Sequence, residues 1–232
     1  MFIHQVIILL RHALARLNMR HPNIFSRLLL IPLLFLLHSA MGVATADNEK
    51  PANSTHPAFK YSETATDPII EYNLVHDMIA EPDPEPLLRV YGSGRVHVHY
   101  PAYMKKAGDY ELQLSKQELK TLIRELADDG VIDFDRQAVK HQRDQLEKEQ
   151  RSKKQESFSY SDESHTVINI RLDEYQKSPG AAKKQKINKQ FSWPNLKQDA
   201  RRFPGAREIN DASRAAGKLE SLKDHHDLVR VR

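Results

Sequence analysis

Residues Leu87–Asp135 constrain the fold more than any other stretch of this 232-residue chain. Leu87–Tyr91 and Arg95–Tyr100 flank Gly92-Ser93-Gly94. Glycine accepts the positive φ that tight hairpins require, so the pattern predicts two antiparallel strands joined at that turn. Pro101 has no N–H to offer a ladder and ends the second strand. Val96, Val98 and Tyr100 form its buried face, which puts His97 and His99 on the opposite one. Asp109–Leu114 repeats the period of two, with Tyr110, Leu112 and Leu114 on one face and Glu111 and Gln113 on the other, and predicts a third strand. Ser115-Lys116-Gln117-Glu118 follows as a capping box, in which the serine side chain and the glutamate satisfy each other's backbone N–H. Leu119, Leu122, Ile123 and Leu126 recur at i, i+3, i+4 and i+7, the buried face of a helix. Gly130 supplies its C-cap, and Val131, Ile132 and Phe134 return to the core.

The flanks extend this pattern. Pro68–Val75 has the β-branched and aromatic content of a strand. Glu81–Pro86 reads as a stop, because its prolines remove backbone donors. Residues 136–156 form a charged excursion, either an exposed helix or a mobile segment, with Ala138, Val139 and Leu146 as its main apolar residues. Ile168, Ile170 and Leu172 alternate with Asn169, Arg171 and Asp173 in a further strand, onto which Ile187–Trp193 pairs back. Pro194–Arg202 and Arg207–Asp224 read as helices, the second with Ile209, Ala212, Ala216 and Leu219 on one face. The expected architecture is α+β: an antiparallel β-meander packed on one face by helices, with a C-terminal helical segment, as a single domain over 68–232.

The N-terminus reads as an address. Arg20 and Arg27 precede ten apolar residues, Leu28–Leu37, and Ala44-Thr45-Ala46 has the small-x-small form of a cleavage site. These are the three parts of a secretory signal peptide over 1–46, with Met19 as the more natural start and cleavage after Ala46. The apolar run is shorter than the roughly 20 residues of a membrane span, so no stable anchor remains after cleavage. Residues 47–67 are polar and aperiodic and read as a flexible lead-in. Asn53-Ser54-Thr55 fits the glycosylation pattern, which matters only in a glycosylating host.

Charge narrows the function further. The formal charge is +4, but the four arginines of the first 46 residues account for all of it. The rest of the chain carries 31 basic and 31 acidic groups. No global field draws a polyanion, which argues against a nucleic-acid partner. The balance is uneven along the chain: Asp47–Asp135 has 9 basic against 17 acidic residues, and Arg136 to the end has 22 against 14. There is no cysteine, which excludes disulfides, thiolate zinc sites, iron–sulfur clusters, thiol catalysis and a lipidated cysteine.

No motif brings a convergent catalytic set. Gly92-Ser93-Gly94 runs from strand into strand, whereas a phosphate loop or nucleophile elbow runs from strand into helix. Tyr100, Tyr103, Lys105 and Lys106 share one loop without a dinucleotide fingerprint. Asp128, Asp129, Asp133 and Asp135 lack the spacing of a calcium loop, so Asp129 reads as a helix-end residue and Asp135 as an N-cap. His97 and His99 are two imidazoles on one face, which suits Zn²⁺ or Cu²⁺, but His56, His76, His141, His165, His225 and His226 have no ligand-like spacing to them. The pair therefore reads as a solvated one without co-ligands, and no catalytic, cofactor-binding or metal residue is assigned.

Val90–Val96, Gly108-Asp109-Tyr110 with Leu112 and Leu114, then Leu119–Leu126 with Gly130-Val131 and Phe134-Asp135 resemble a pattern of uncharacterised exported proteins of Gram-negative bacteria. Those proteins carry a small α+β domain of unknown function. The resemblance covers residues of about 88–135 and implies a fold and export, with no catalytic residues to carry over. The expectation is a soluble periplasmic or secreted binding protein, not an enzyme, whose partner is another periplasmic or envelope protein. Two alternatives stay open: a metal-handling protein using His97 and His99, and a hydrolase drawing on distant residues such as Glu71, Asp173 and His165.

Overall fold

The computed structural model describes residues 56–76, 83–154 and 163–231. The leader, its cleavage point and the Asn53 sequon lie outside the described residues. Among them are eight strands and four helices in the order β1 (Ala58–Lys60), β2 (Ile70–His76), β3 (Leu88–Val90), β4 (Arg95–Tyr100), β5 (Gly108–Gln113), α1 (Lys116–Asp128), α2 (Arg136–Lys154), β6 (Ser164–Gln176), β7 (Lys184–Pro194), α3 (Leu196–Arg202), α4 (Arg207–Leu222) and β8 (Val229–Arg230). The fold is α+β, with one antiparallel sheet and a C-terminal helical segment.

Strands β2 to β5 form the meander, and β8 pairs the outer edge of β5. The long strand β6 lies beside β2 with Ile70 opposite Ile170, and carries β7 on its other edge with Ile168 opposite Phe191. The hairpin between β3 and β4 forms as the glycines predict, although the two act differently. Gly94 has φ +88, the left-handed conformation that closes such a turn. Gly92 has no positive φ; a Cβ there would stand 1.9 Å from the Ser62 carbonyl oxygen, so its role is close backbone approach.

Both ends of α1 follow the sequence signals. Ser115 Oγ accepts from Glu118 N–H at 3.2 Å, and Glu118 Oε2 accepts from Ser115 N–H at 2.7 Å. At the other end Gly130 (φ +74) donates to Ala127 O and Val131 donates to Leu126 O. This pair of bonds is the Schellman arrangement, with Val131 and Leu126 both buried. Asp135 caps α2, its Oδ1 accepting from Gln137 and Ala138 N–H at 3.0 and 3.1 Å.

One face of the sheet makes the core. Ile70, Tyr72, Leu88, Val90, Val96, Val98, Leu112, Ile168 and Ile170 pack with α1 and with Ile209, Ala212, Ala216 and Leu219 of α4. Each large aliphatic side chain so buried stabilises the fold by roughly 1.5–3 kcal/mol. Polar ends of core tyrosines are satisfied by α4 and its exit: Tyr72 donates to Glu220 at 2.6 Å and Tyr100 to the Lys223 carbonyl at 2.8 Å. The charged excursion resolves as the helix α2 over 136–154. Val139 is buried, and charged contacts do the rest: Arg143 to Asp199 at 3.4 Å and Arg202 to Glu147 at 3.4 Å.

The lead-in differs from expectation. Residues 58–60 are strand β1, paired with β6 with Phe59 opposite Tyr175. A polar, aperiodic segment finds a strand because the end of β6 extends beyond β2 and offers its backbone groups.

Candidate functional site

The second face of the sheet is polar, and the register decides who meets there. Opposite residues of antiparallel strands share a face. His97 stands opposite Glu111, His99 opposite Asp109, and Arg89 opposite His97 on the other side. A row of ionisable groups therefore crosses β3, β4 and β5 on the side away from the core.

The loop before β3 adds the remaining members. Asp83 Oδ1 accepts the backbone N–H of Glu85 at 2.9 Å, an Asx turn across Pro84 that points two carboxylates across β4. Asp83 Oδ2 lies 3.0 Å from His99 Nε2, and Glu85 Oε1 lies 3.7 Å from His97 Nε2. Glu85 Oε2 is 3.8 Å from His99 Nδ1. Asp109 Oδ1 is shared, 2.8 Å from His99 Nδ1 and 3.5 Å from His97 Nε2. His97 Nδ1 faces Glu111 Oε1 at 3.6 Å. Arg89 holds Glu85 Oε1 at 2.5 Å, and Arg95 holds Glu111 Oε1 at 3.1 Å.

The expected wet histidine pair is thus corrected. His97 is only 9% exposed, and the side chain of His99 only 16%. Both are covered because the Asp83–Pro86 segment, read from sequence only as a strand stop, folds over them. Groups able to act as co-ligands are present too, but they are carboxylates, not histidines. Their signal in the sequence was the shared parity of Asp109 and Glu111 on β5. Asp83 and Glu85 alternate with prolines, a pattern that carries no strand or helix signal, and only the tertiary fold reveals their role.

Electrostatics in the cluster favour a cation. Four carboxylates, Asp83, Glu85, Asp109 and Glu111, meet two guanidiniums, Arg89 and Arg95, which leaves a balance of −2 before the imidazoles are counted. Burial pulls the His99 imidazole toward its neutral form, but hydrogen bonds to Asp109 and Asp83 and the charge of Glu85 outweigh it and raise its pKa. The Asp83 carboxyl is held below its usual range, first by the Glu85 N–H and then by His99. A small cleft on the far side of Asp83 and Glu85 is lined by Leu74, His76, Leu87, Pro101 and Tyr103 and does not include the two imidazoles.

The other candidates do not converge. Glu71, Asp173 and His165 share the polar face, but Glu71 stands opposite Asn169, four residues along β6 from each of the other two. At 3.3 Å per residue that is about 13 Å in either direction. Glu71 is bound by Asn169 at 3.1 Å and Arg171 at 3.3 Å. Tyr100 points into the core side, while Tyr103 is exposed. Asp129 is buried, with Arg214 and Lys218 on its two oxygens at 2.7 and 3.0 Å. Asp133 accepts from Tyr175 and Lys184, both at 2.8 Å. Both aspartates are partnered within the fold.

No protein-family model, curated protein or solved structure matches this chain. Among the described residues no helix is long and apolar enough to cross a membrane.

Proposed function

We propose that this is an exported binding protein, not an enzyme, and that its ligand is a small cation held on the polar face of the sheet. The observation that carries the reading is the convergence of Asp83, Glu85, Asp109 and Glu111 on His97 and His99. A rigid antiparallel ladder fixes four of these side chains, and an Asx turn aims the other two. A surplus of negative charge in a partly desolvated site binds cations more strongly than it would in open water. Among the described residues, no nucleophile with an adjacent base accompanies the cluster. The leader-like N-terminus and the resemblance of residues 88–135 to exported proteins support a periplasmic or secreted setting.

The test uses the mature protein collected from the exported fraction without a histidine tag. Its N-terminal mass should begin near Asp47. After dialysis against a chelator, the melting temperature should rise saturably with one member of a panel of Mg²⁺, Ca²⁺, Zn²⁺ and spermidine, and Asp109→Asn should remove that rise. A panel without any shift overturns the reading. In-cell crosslinking that recovers one reproducible protein partner through the core-side helices, with no cation effect, would replace it.

A further inference from the structure

We infer that Glu85, His97, His99 and Asp109 form a binding site for a late first-row divalent metal ion, zinc above all, with Asp83 as a positioning residue. This rests on the cation reading above and gives it a chemical class. Zinc takes imidazole nitrogen at about 2.0–2.1 Å and carboxylate oxygen at about 2.0–2.2 Å in tetrahedral geometry. Donors around such an ion therefore stand about 3.4 Å apart. Three separations bracket that spacing: 2.8 Å and 3.5 Å from Asp109 Oδ1 to the two imidazoles, and 3.8 Å from Glu85 Oε2 to His99 Nδ1. Glu85, His99 and Asp109 place donor atoms within 4.8 Å of one another. His97 Nε2 stands outside that three-way group, 3.5 Å from Asp109 Oδ1 on the adjacent same-face position of β4, and is the fourth donor of the inferred site.

The choice of class follows from the donors. Two imidazoles and two carboxylates, with no thiolate and no ring of carbonyls, suit zinc and its neighbours better than Mg²⁺ or Ca²⁺, which prefer six or more oxygens. The surroundings have the form of an outer shell. A ligating histidine normally donates its second N–H to a carboxylate, which fixes ring orientation and tautomer. His99 Nε2 donates to Asp83 at 3.0 Å, leaving Nδ1 toward Asp109 and Glu85. His97 Nδ1 faces Glu111 in the same sense at 3.6 Å. Arg89 occupies Glu85 Oε1 and holds that carboxylate in place, while Oε2 faces His99. Binding of the ion at His99 Nδ1 would displace the proton that Nδ1 shares with Asp109, and that proton would leave to solvent.

A second histidine–carboxylate group, His225, His226 and Asp227, serves as the internal control. Its three residues are consecutive in a turn, and His226 is 83% exposed at the side chain. It is the place where adventitious metal would collect.

The experiment titrates the chelator-treated mature protein with Zn²⁺ by calorimetry and with Co²⁺ by visible spectroscopy. The expected result is one Zn²⁺ per chain and an intense tetrahedral Co²⁺ band. His97→Ala/His99→Ala and the near-isosteric Asp109→Asn should each abolish both, while His225→Ala/His226→Ala leaves them unchanged. Asp83→Asn should retain the 1:1 stoichiometry but weaken affinity about 10–100-fold, as loss of an outer-shell partner does. Far-UV circular dichroism of each variant separates lost binding from lost folding. A weak octahedral Co²⁺ spectrum, or Zn²⁺ retained by the His97/His99 variant and lost from the His225/His226 variant, overturns the inference. If Ca²⁺ or spermidine stabilises the protein and Zn²⁺ does not, the metal class fails while the cation reading stands. If no cation does, both fail.

Discussion

The two faces of the sheet are built from the same strands and obey opposite rules. On β4, Val96, Val98 and Tyr100 point into a closed core, and His97 and His99 point the other way into a charged cluster. The core face is generic: its residues need only be apolar and of the right volume, and neighbours on α1 and α4 repack around small changes. The polar face is particular. Each member of its cluster is set against a named partner at a stated atom, and one misplaced donor removes the arrangement. Stability is therefore concentrated on one side of the sheet, and the proposed binding site lies on the other.

The largest test of that division is Leu88→Ala on the core face. Leu88 is fully buried opposite Val98. The substitution should cost about 2–5 kcal/mol in urea unfolding, while zinc affinity of the folded fraction stays within a few-fold. A large affinity loss would show that the faces are coupled and the comparison too sharp.

An intermediate effect is expected at the core-side rim. Burial pushes the Asp133 carboxyl up, but hydrogen bonds from Lys184 and Tyr175 and the charges of Lys184 and Lys177 outweigh it and hold its pKa below the ordinary 3.8. A carboxyl lowered by folding contributes stability above its unfolded value and loses it as pH falls through the folded value. Asp133→Asn should thus cost about 1–2 kcal/mol at pH 7, on the scale of a charge-assisted hydrogen bond. The gap to the parent protein should close as unfolding is repeated below pH 4. A gap that is constant with pH would assign Asp133 a packing role only.

The smallest effect is expected on the polar face away from the cluster. Glu71→Gln removes the ion pair with Arg171, whose side chain is 42% exposed. Thermal unfolding should change by no more than about 1 kcal/mol, and cation binding should not change at all. A larger loss would mean that the polar face also carries stability.

Much of this was legible in the chain. The hairpin at Gly92–Gly94, the capping box at Ser115 and the stop at Gly130 are local devices, and each acts through bonds to residues within a few positions. The pairing of β7 onto β6 and the apolar face of α4 follow from period alone. The site was only half legible. Strand parity placed His97, His99 and Glu111 on one face, but the other histidines show no ligand-like spacing to the pair, and its partners are carboxylates from the neighbouring strand and from a proline-rich loop. Strand β1 was hidden for a related reason: nothing in Ala58–Lys60 signals pairing, and the edge of β6 supplies it.

By itself, then, the sequence determined the α+β class, the core face and both ends of α1, because periodicity and caps depend on short-range geometry that the residue types dictate. Tertiary structure alone decided that the Asp83–Pro86 segment closes over β4 and that Asp109 is shared between two imidazoles. Those contacts join residues 10 to 16 positions apart across strands and a loop. Their register is set by the packing of the opposite face, since a one-residue slip would turn Val96 and Val98 out of the core and the histidines into it.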